Sequence, residues 1–114
     1  MARHVADAQH ALAQARARGA VVHLIGPVTS TAEALDVIGA ALDFPAWYGQ
    51  NLDAMYDCLV DLSWQPLGEH VLIWTGHHAL EAADPGGYRA VLAALDEAAA
   101  ANSERPLSVF LADG

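Results

Sequence analysis

Three aspartates, Asp53, Asp57 and Asp61, recur at every fourth position. In a helix that spacing puts them on one face. Leu52, Met55, Leu59 and Leu62 fall at i, i+3, i+7 and i+10 and make a separate apolar stripe on the same helix. Asp53, in the first turn, complements the positive helix end; Asp61 lies near the negative end, where the dipole disfavours it. Each like-charged i, i+4 pair costs about 0.2–0.5 kcal/mol, and no cationic residue stands nearby to relieve it. Such a face is either ordinary solvated surface or a docking face for a cationic group. The aromatics Trp47, Tyr48 and Tyr56 beside the acids favour the second. A hard cation such as Ca²⁺ fits less well, because it normally wants a loop whose carbonyls converge on the ion.

Other chemistry is thin. No glycine-rich stretch matches a phosphate-binding pattern. His77 and His78 are adjacent, so in a helix they point about 100° apart and make a poor joint metal site. His70, His77 or His78 combined with Glu81 leaves a tetrahedral metal short of ligands. Cys58 lies mid-helix in apolar surroundings and reads as a small buried hydrophobe, not a nucleophile. The expectation is a non-enzyme with no catalytic residue, no metal and no cofactor.

The acidic helix needs a firm start. Pro45 disfavours helix for the residues around it, so Ala46 and Trp47 belong to a loop. Gly49 permits a sharp entry, and Gln50 or Asn51 caps the helix, Asn51 being the better cap because its oxygen accepts an orphan N–H. The whole run is Trp47-Tyr48-Gly49-Gln50-Asn51-Leu52-Asp53-Ala54-Met55-Tyr56-Asp57-Cys58-Leu59. This run resembles the signature of the barstar family, intracellular protein inhibitors of secreted ribonucleases such as barnase. It is long, ungapped and chemically mixed. The resemblance is strong over residues 44–59 and extends as a pattern over about 20–112.

The resemblance implies roles by position. Asp57 matches the family's dominant aspartate, which enters the ribonuclease active site where the substrate phosphate binds; a carboxylate can take that place before Arg, Lys and His. Asp53 matches a second interface aspartate. Gly49 and Asn51 match residues at the helix entry, where backbone and amide contacts are made. Trp47 stands where the family commonly has Tyr, and Tyr56 where it commonly has Trp. Glu97 matches an interface glutamate on a later helix. After Leu59 the chain departs: Val60-Asp61-Leu62 stands where barstar itself has Thr-Gly-Trp, so an aromatic is missing and Asp61 adds an acid. Trp64 is positioned to supply an aromatic from a shifted place. The implied activity is inhibition of a basic, barnase-type, guanyl-specific ribonuclease by a monomer in a 1:1 complex. The alternative is a module of the same fold aimed at a different basic protein or toxin nuclease.

Charge agrees with a cationic partner. The chain of 114 residues has 14 acids against 5 bases, all Arg, for a net charge of −9. Between Gly19 and Tyr88 stand nine acids and no base. That block repels nucleic acid and attracts cationic proteins. A single cysteine suits a reducing compartment. With no secretory leader pattern and no apolar run of about 20 residues, a cytoplasmic protein without membrane contact is expected.

The remaining elements follow from periodicity. Residues 4–18 read as an Ala-rich helix with Val5, Ala8, Leu12 and Ala15 on one face and Gly19 as its stop. Residues 20–25 are a buried strand, in which His23 reads as a satisfied or outward-facing histidine. Ser30 with Glu33 suggests a capping box for a helix carrying Leu35, Ile38 and Leu42. A second strand spans 69–74, a helical turn 77–83, a long helix 87–101 and a third strand 107–111. Long crossovers between apolar strands imply parallel pairing. The expected fold is α/β: a three-stranded parallel sheet packed with helices, barstar-like, with an extra N-terminal helix. Residues 1–19 are expected to form that accessory helix and 20–114 the inhibitor domain.

Overall fold

His70–Thr75 is a run with almost no polar break, and all but its last residue are buried. A strand so apolar on both faces must lie inside a sheet covered on two sides. The computed structural model, which describes residues 2–113, places it there. In chain order the elements are β1 (Arg3–Val5), α1 (Ala8–Ala17), β2 (Val21–Ile25), α2 (Thr31–Ala41), α3 (Leu52–Asp61), β3 (His70–Thr75), α4 (His78–Ala83), α5 (Pro85–Ala101) and β4 (Leu107–Ala112). The sheet order is β1-β4-β3-β2, and all pairs are parallel.

Alternation along β3 splits the core. Val71 and Ile73 face one side, where Ala8, Ala11 and Ala15 of α1 pack with Ala112. Leu72 and Trp74 face the other, where Ile38, Leu42, Met55, Leu59, Val91 and Leu95 pack from α2, α3 and α5 and the turns that follow. The alanines of α1 have little apolar area each, but they let the helix lie close on the sheet.

Two expectations change here. The sheet has four strands and not three, and the first helix begins at Ala8 and not at residue 4. The Asp7 side chain accepts from the Gln9 N–H at 2.9 Å, which starts the helix there and frees Arg3–Val5 to pair with β4. Three residues are too few to show an alternating pattern, which is why the strand was invisible in the sequence. The capping box at α2 forms in its Ser30 half only. Ser30 Oγ accepts from Glu33 N–H at 3.1 Å, but the Glu33 carboxylate accepts from the Thr29 N–H.

His23 and His70 join β2 to β3 through their side chains. His23 Nδ1 donates to the Ala41 carbonyl at 3.0 Å, and His70 Nε2 donates to the Pro66 carbonyl at 2.7 Å. The remaining nitrogens face each other at 3.0 Å, with the rings nearly parallel. Both outer N–H groups are committed to carbonyls, so the facing nitrogens share a hydrogen bond when one of them carries a proton, and a second proton would set two donors against each other. Burial pushes the His23 titration down; the Ala41 carbonyl opposes this, the His70 ring adds to it and Asp43 opposes it. His77 is also lowered, chiefly by burial. The fold accommodates one proton between these two rings but resists the next, and it resists charging His77, so the unfolded chain takes up more protons on acidification. The stability these groups contribute is complete above the unfolded value of about 6.5 and is lost as pH falls below it. Urea unfolding is expected to show a lower midpoint at pH 5 than at pH 7, with a slope of up to about 1.4 kcal/mol per pH unit for each proton. A His23→Leu variant should flatten that slope. An unchanged slope would mean that His23 is not one of the groups responsible.

Candidate functional site

The acidic helix is built as its sequence requires. Asn51, in extended backbone, accepts from the Ala54 N–H at 2.8 Å through its side-chain oxygen. Met55, Cys58 and Leu59 are buried against the core. The far end is held by a buried side chain on another element: Asn102, just past α5, donates its amide to the Leu59 and Val60 carbonyls, both at 3.2 Å. Leu62 then reverses the chain with φ +47°. For a non-glycine residue that conformation costs about 1–2 kcal/mol, here offset by complete burial of its side chain.

The loop before α3 rests on aromatic packing. Phe44 meets Tyr48 edge-on at 4.8 Å and Trp64 edge-on at 6.0 Å. The Tyr48 hydroxyl donates to the Leu35 carbonyl at 3.3 Å, and the Trp64 indole N–H donates to the Leu42 carbonyl at 2.9 Å. Burial first, then the electrostatic influence of Cys58 and Asp36, pushes the Tyr48 hydroxyl up to about 12, so it stays a donor. Gly39 of α2 makes the seat: a Cβ there would come within 2.9 Å of the Tyr48 ring. The sharp turn falls at Gln50, with φ +52°, and not at Gly49. Gly49 instead leaves room for the Asn51 amide, which a Cβ would approach at 3.3 Å.

On this frame Trp47, Gly49, Asn51, Asp53 and Asp57 are all exposed along one continuous loop and helix. Trp47 is 67% exposed, which is unusual for so large an apolar ring. Tyr56 is half-buried and packs partly on the core, so it presents only part of its face. Among the described residues, Asp53 and Asp57 have no ion-pair or hydrogen-bond partner. Asp61 is exposed at the end of α3, accepts from the Ser63 hydroxyl at 3.2 Å and borders a shallow groove shared with Glu104 and Arg105. Glu97 is exposed on α5, the helix packed against α3. Trp64 is half-buried with its N–H committed, so it supports the loop from beneath. The acids are felt by their neighbour: burial first, then Asp57 and Asp61, raises the Cys58 thiol. A raised, buried thiol is a poor nucleophile.

A second polar cluster lies at the C-terminal ends of β3 and β4, where Asp113 joins the two histidines. His77 and His78 do not diverge; their rings are 4.0 Å apart. His77 sits just ahead of α4, and each ring is turned by its own partner. His77 Nδ1 is 2.7 Å from the Tyr88 hydroxyl, and His78 Nδ1 is 2.9 Å from Glu81 Oε1. Asp113 approaches both from just past β4. Hydrogen bonding to Glu81 raises His78, opposite to the lowered His77. The signal was topological: the register Thr75↔Ala112 brings together the residues that follow each strand.

Among the described residues no helix is long and apolar enough to cross a membrane. A family model described as Barstar (barnase inhibitor) matches residues 20–112. No curated protein matches the chain.

Proposed function

The chain belongs to the barstar family of ribonuclease inhibitors, and from that premise we propose that it binds a cationic, barnase-type, guanyl-specific ribonuclease and blocks its active site without chemistry of its own. The observation that carries this reading is the pair Asp53 and Asp57, exposed and unpaired on a rigidly capped helix beside the exposed Trp47. Charge left unpaired on a fixed scaffold is preorganised for an external partner. Asp57 takes the place of the substrate phosphate before the enzyme's basic residues. Asp53, Asp61 and Glu97 steer and pair with Arg or Lys at the margin. Trp47 and the open part of Tyr56 exclude water, with Gly49 and Asn51 closing the contact at the helix entry. The complex is one-to-one and forms in the cytoplasm, where Cys58 stays reduced.

Calorimetric titration into a barnase-type ribonuclease, with RNA cleavage followed in parallel, tests the proposal. Stoichiometric binding that stops cleavage and weakens with salt is expected, since steered association falls with ionic strength. The Val60-Asp61-Leu62 departure favours one second reading, a module for another basic nuclease or protein. Absence of binding at low and moderate salt would reject the first reading in favour of that one.

A further inference from the structure

The geometry points to a divalent transition-metal site formed by His77, His78 and Asp113, and we propose that it binds Zn²⁺ or a metal of similar preference. The inference is independent of ribonuclease binding. Asp113 Oδ1 lies 3.7 Å from His77 Nε2 and 3.5 Å from His78 Nε2. The ligand atoms of the three residues all lie within 4.8 Å of one another. Both nitrogen–oxygen distances are too long for good hydrogen bonds. They are close to the edge of a tetrahedron around zinc, about 3.3 Å for metal–ligand bonds of about 2.0–2.1 Å. A small contraction would close the site.

The buried member of the cluster supplies the independent observation. The His77 side chain is fully buried, and its Nε2 has no hydrogen-bond partner. Leaving such an atom unsatisfied costs about 1–3 kcal/mol. In the tautomer whose Nδ1–H donates to the Tyr88 oxygen, Nε2 presents a lone pair toward Asp113 and His78. A metal there satisfies it. The outer nitrogens are already oriented, His77 by Tyr88 and His78 by the Glu81 carboxylate. Metal-bound histidines usually have such a partner on the far nitrogen.

The backbone holds the third ligand in place. The Asp113 N–H donates to the Val5 carbonyl at 3.1 Å, so β1 fixes the residue that follows β4. His4, also on β1, has its ring 5.5 Å from that of His77 but lies outside the converging set. Two imidazoles and one carboxylate suit zinc and its neighbours, whereas Ca²⁺ and Mg²⁺ prefer sets made of oxygen. Asp113 falls just outside the residues matched by the family model.

Titration of the full chain with Co²⁺, followed by its visible absorption and then by competition with Zn²⁺, tests the site. One equivalent is expected to bind saturably and to be displaced by Zn²⁺. His78→Ala and Asp113→Asn alter exposed side chains and should leave the fold intact, which circular dichroism would verify. Each should weaken binding by on the order of 10–100-fold or more. His10→Ala, an exposed histidine on α1, should leave it unchanged. Absence of saturable binding would overturn the proposal, as would affinity retained in both cluster variants or lost equally in His10→Ala.

Discussion

Asp57→Ala is expected to abolish tight binding to a barnase-type ribonuclease while leaving the fold at least as stable. The expected loss is on the order of 2–8 kcal/mol, the span of interface hot spots, of which the barstar–barnase pair is itself a defining case. The stability side follows from the local structure. Asp57 is exposed in mid-helix and has no partner among the described residues. Alanine has the higher helix propensity, and removing the charge relieves repulsion from Asp53 and Asp61, about 0.2–0.5 kcal/mol for each pair. A group that contributes nothing to the fold yet dominates association is the mark of a binding residue. Titration calorimetry and urea unfolding on the same variant separate the two quantities. A binding loss under about 1 kcal/mol, below the hot-spot threshold, would remove Asp57 from the centre of the interface. A clear drop in stability would recast it as structural.

The second large effect concerns the scaffold. Trp74→Ala is expected to cost about 3–5 kcal/mol, the usual range for deleting a buried aromatic. Trp74 is fully buried on the central strand, aligned with Ile25 of β2 and Leu111 of β4. Its ring lies 5.9 Å from that of Tyr88, which packs in the same core as α2, α3 and α5. Truncation therefore opens a void beneath the helices that carry the acidic face. Domains of this size have only about 5–15 kcal/mol in total, so much of the margin would go. Trp74→Phe should be milder, because it also removes an indole N–H that has no hydrogen-bond partner. Equilibrium urea unfolding ranks the two. Equal losses in both variants would show that shape, not volume or the stranded donor, governs the position.

Local chemistry was legible in the sequence where it depends on neighbours along the chain. The Asn51 cap, the buried stripe Met55–Leu59 and the solvent-facing Asp53 and Asp57 all follow from residue type and spacing. The central strand was legible because six residues of mostly apolar character cannot be left in water. Long-range pairing was not. His23 and His70 are 47 residues apart, and nothing local says that their rings meet. His78 and Asp113 are brought together only by the parallel register of β3 and β4. The turn was assigned to Gly49 because glycine tolerates left-handed backbone most readily. In the fold Gln50 takes that conformation, because the Asn51 cap and the packed Tyr48 define the path on either side. Trp64 was open to an interface role on residue type, and its hydrogen bond to Leu42 ties it to the scaffold.

The three residues of β1 have a colloidal consequence. Without them β4, whose sequence Leu-Ser-Val-Phe-Leu-Ala is rich in strand-forming residues, would display a row of unpaired amides and carbonyls. An uncovered row of that kind is a template for strand addition by another molecule, and hence for self-association. Residues 3–5 occupy it in parallel register, with two of the three side chains exposed and one of them charged. A short polar strand is a poor template in its turn. So small a segment can keep copies of the chain from being consumed by one another.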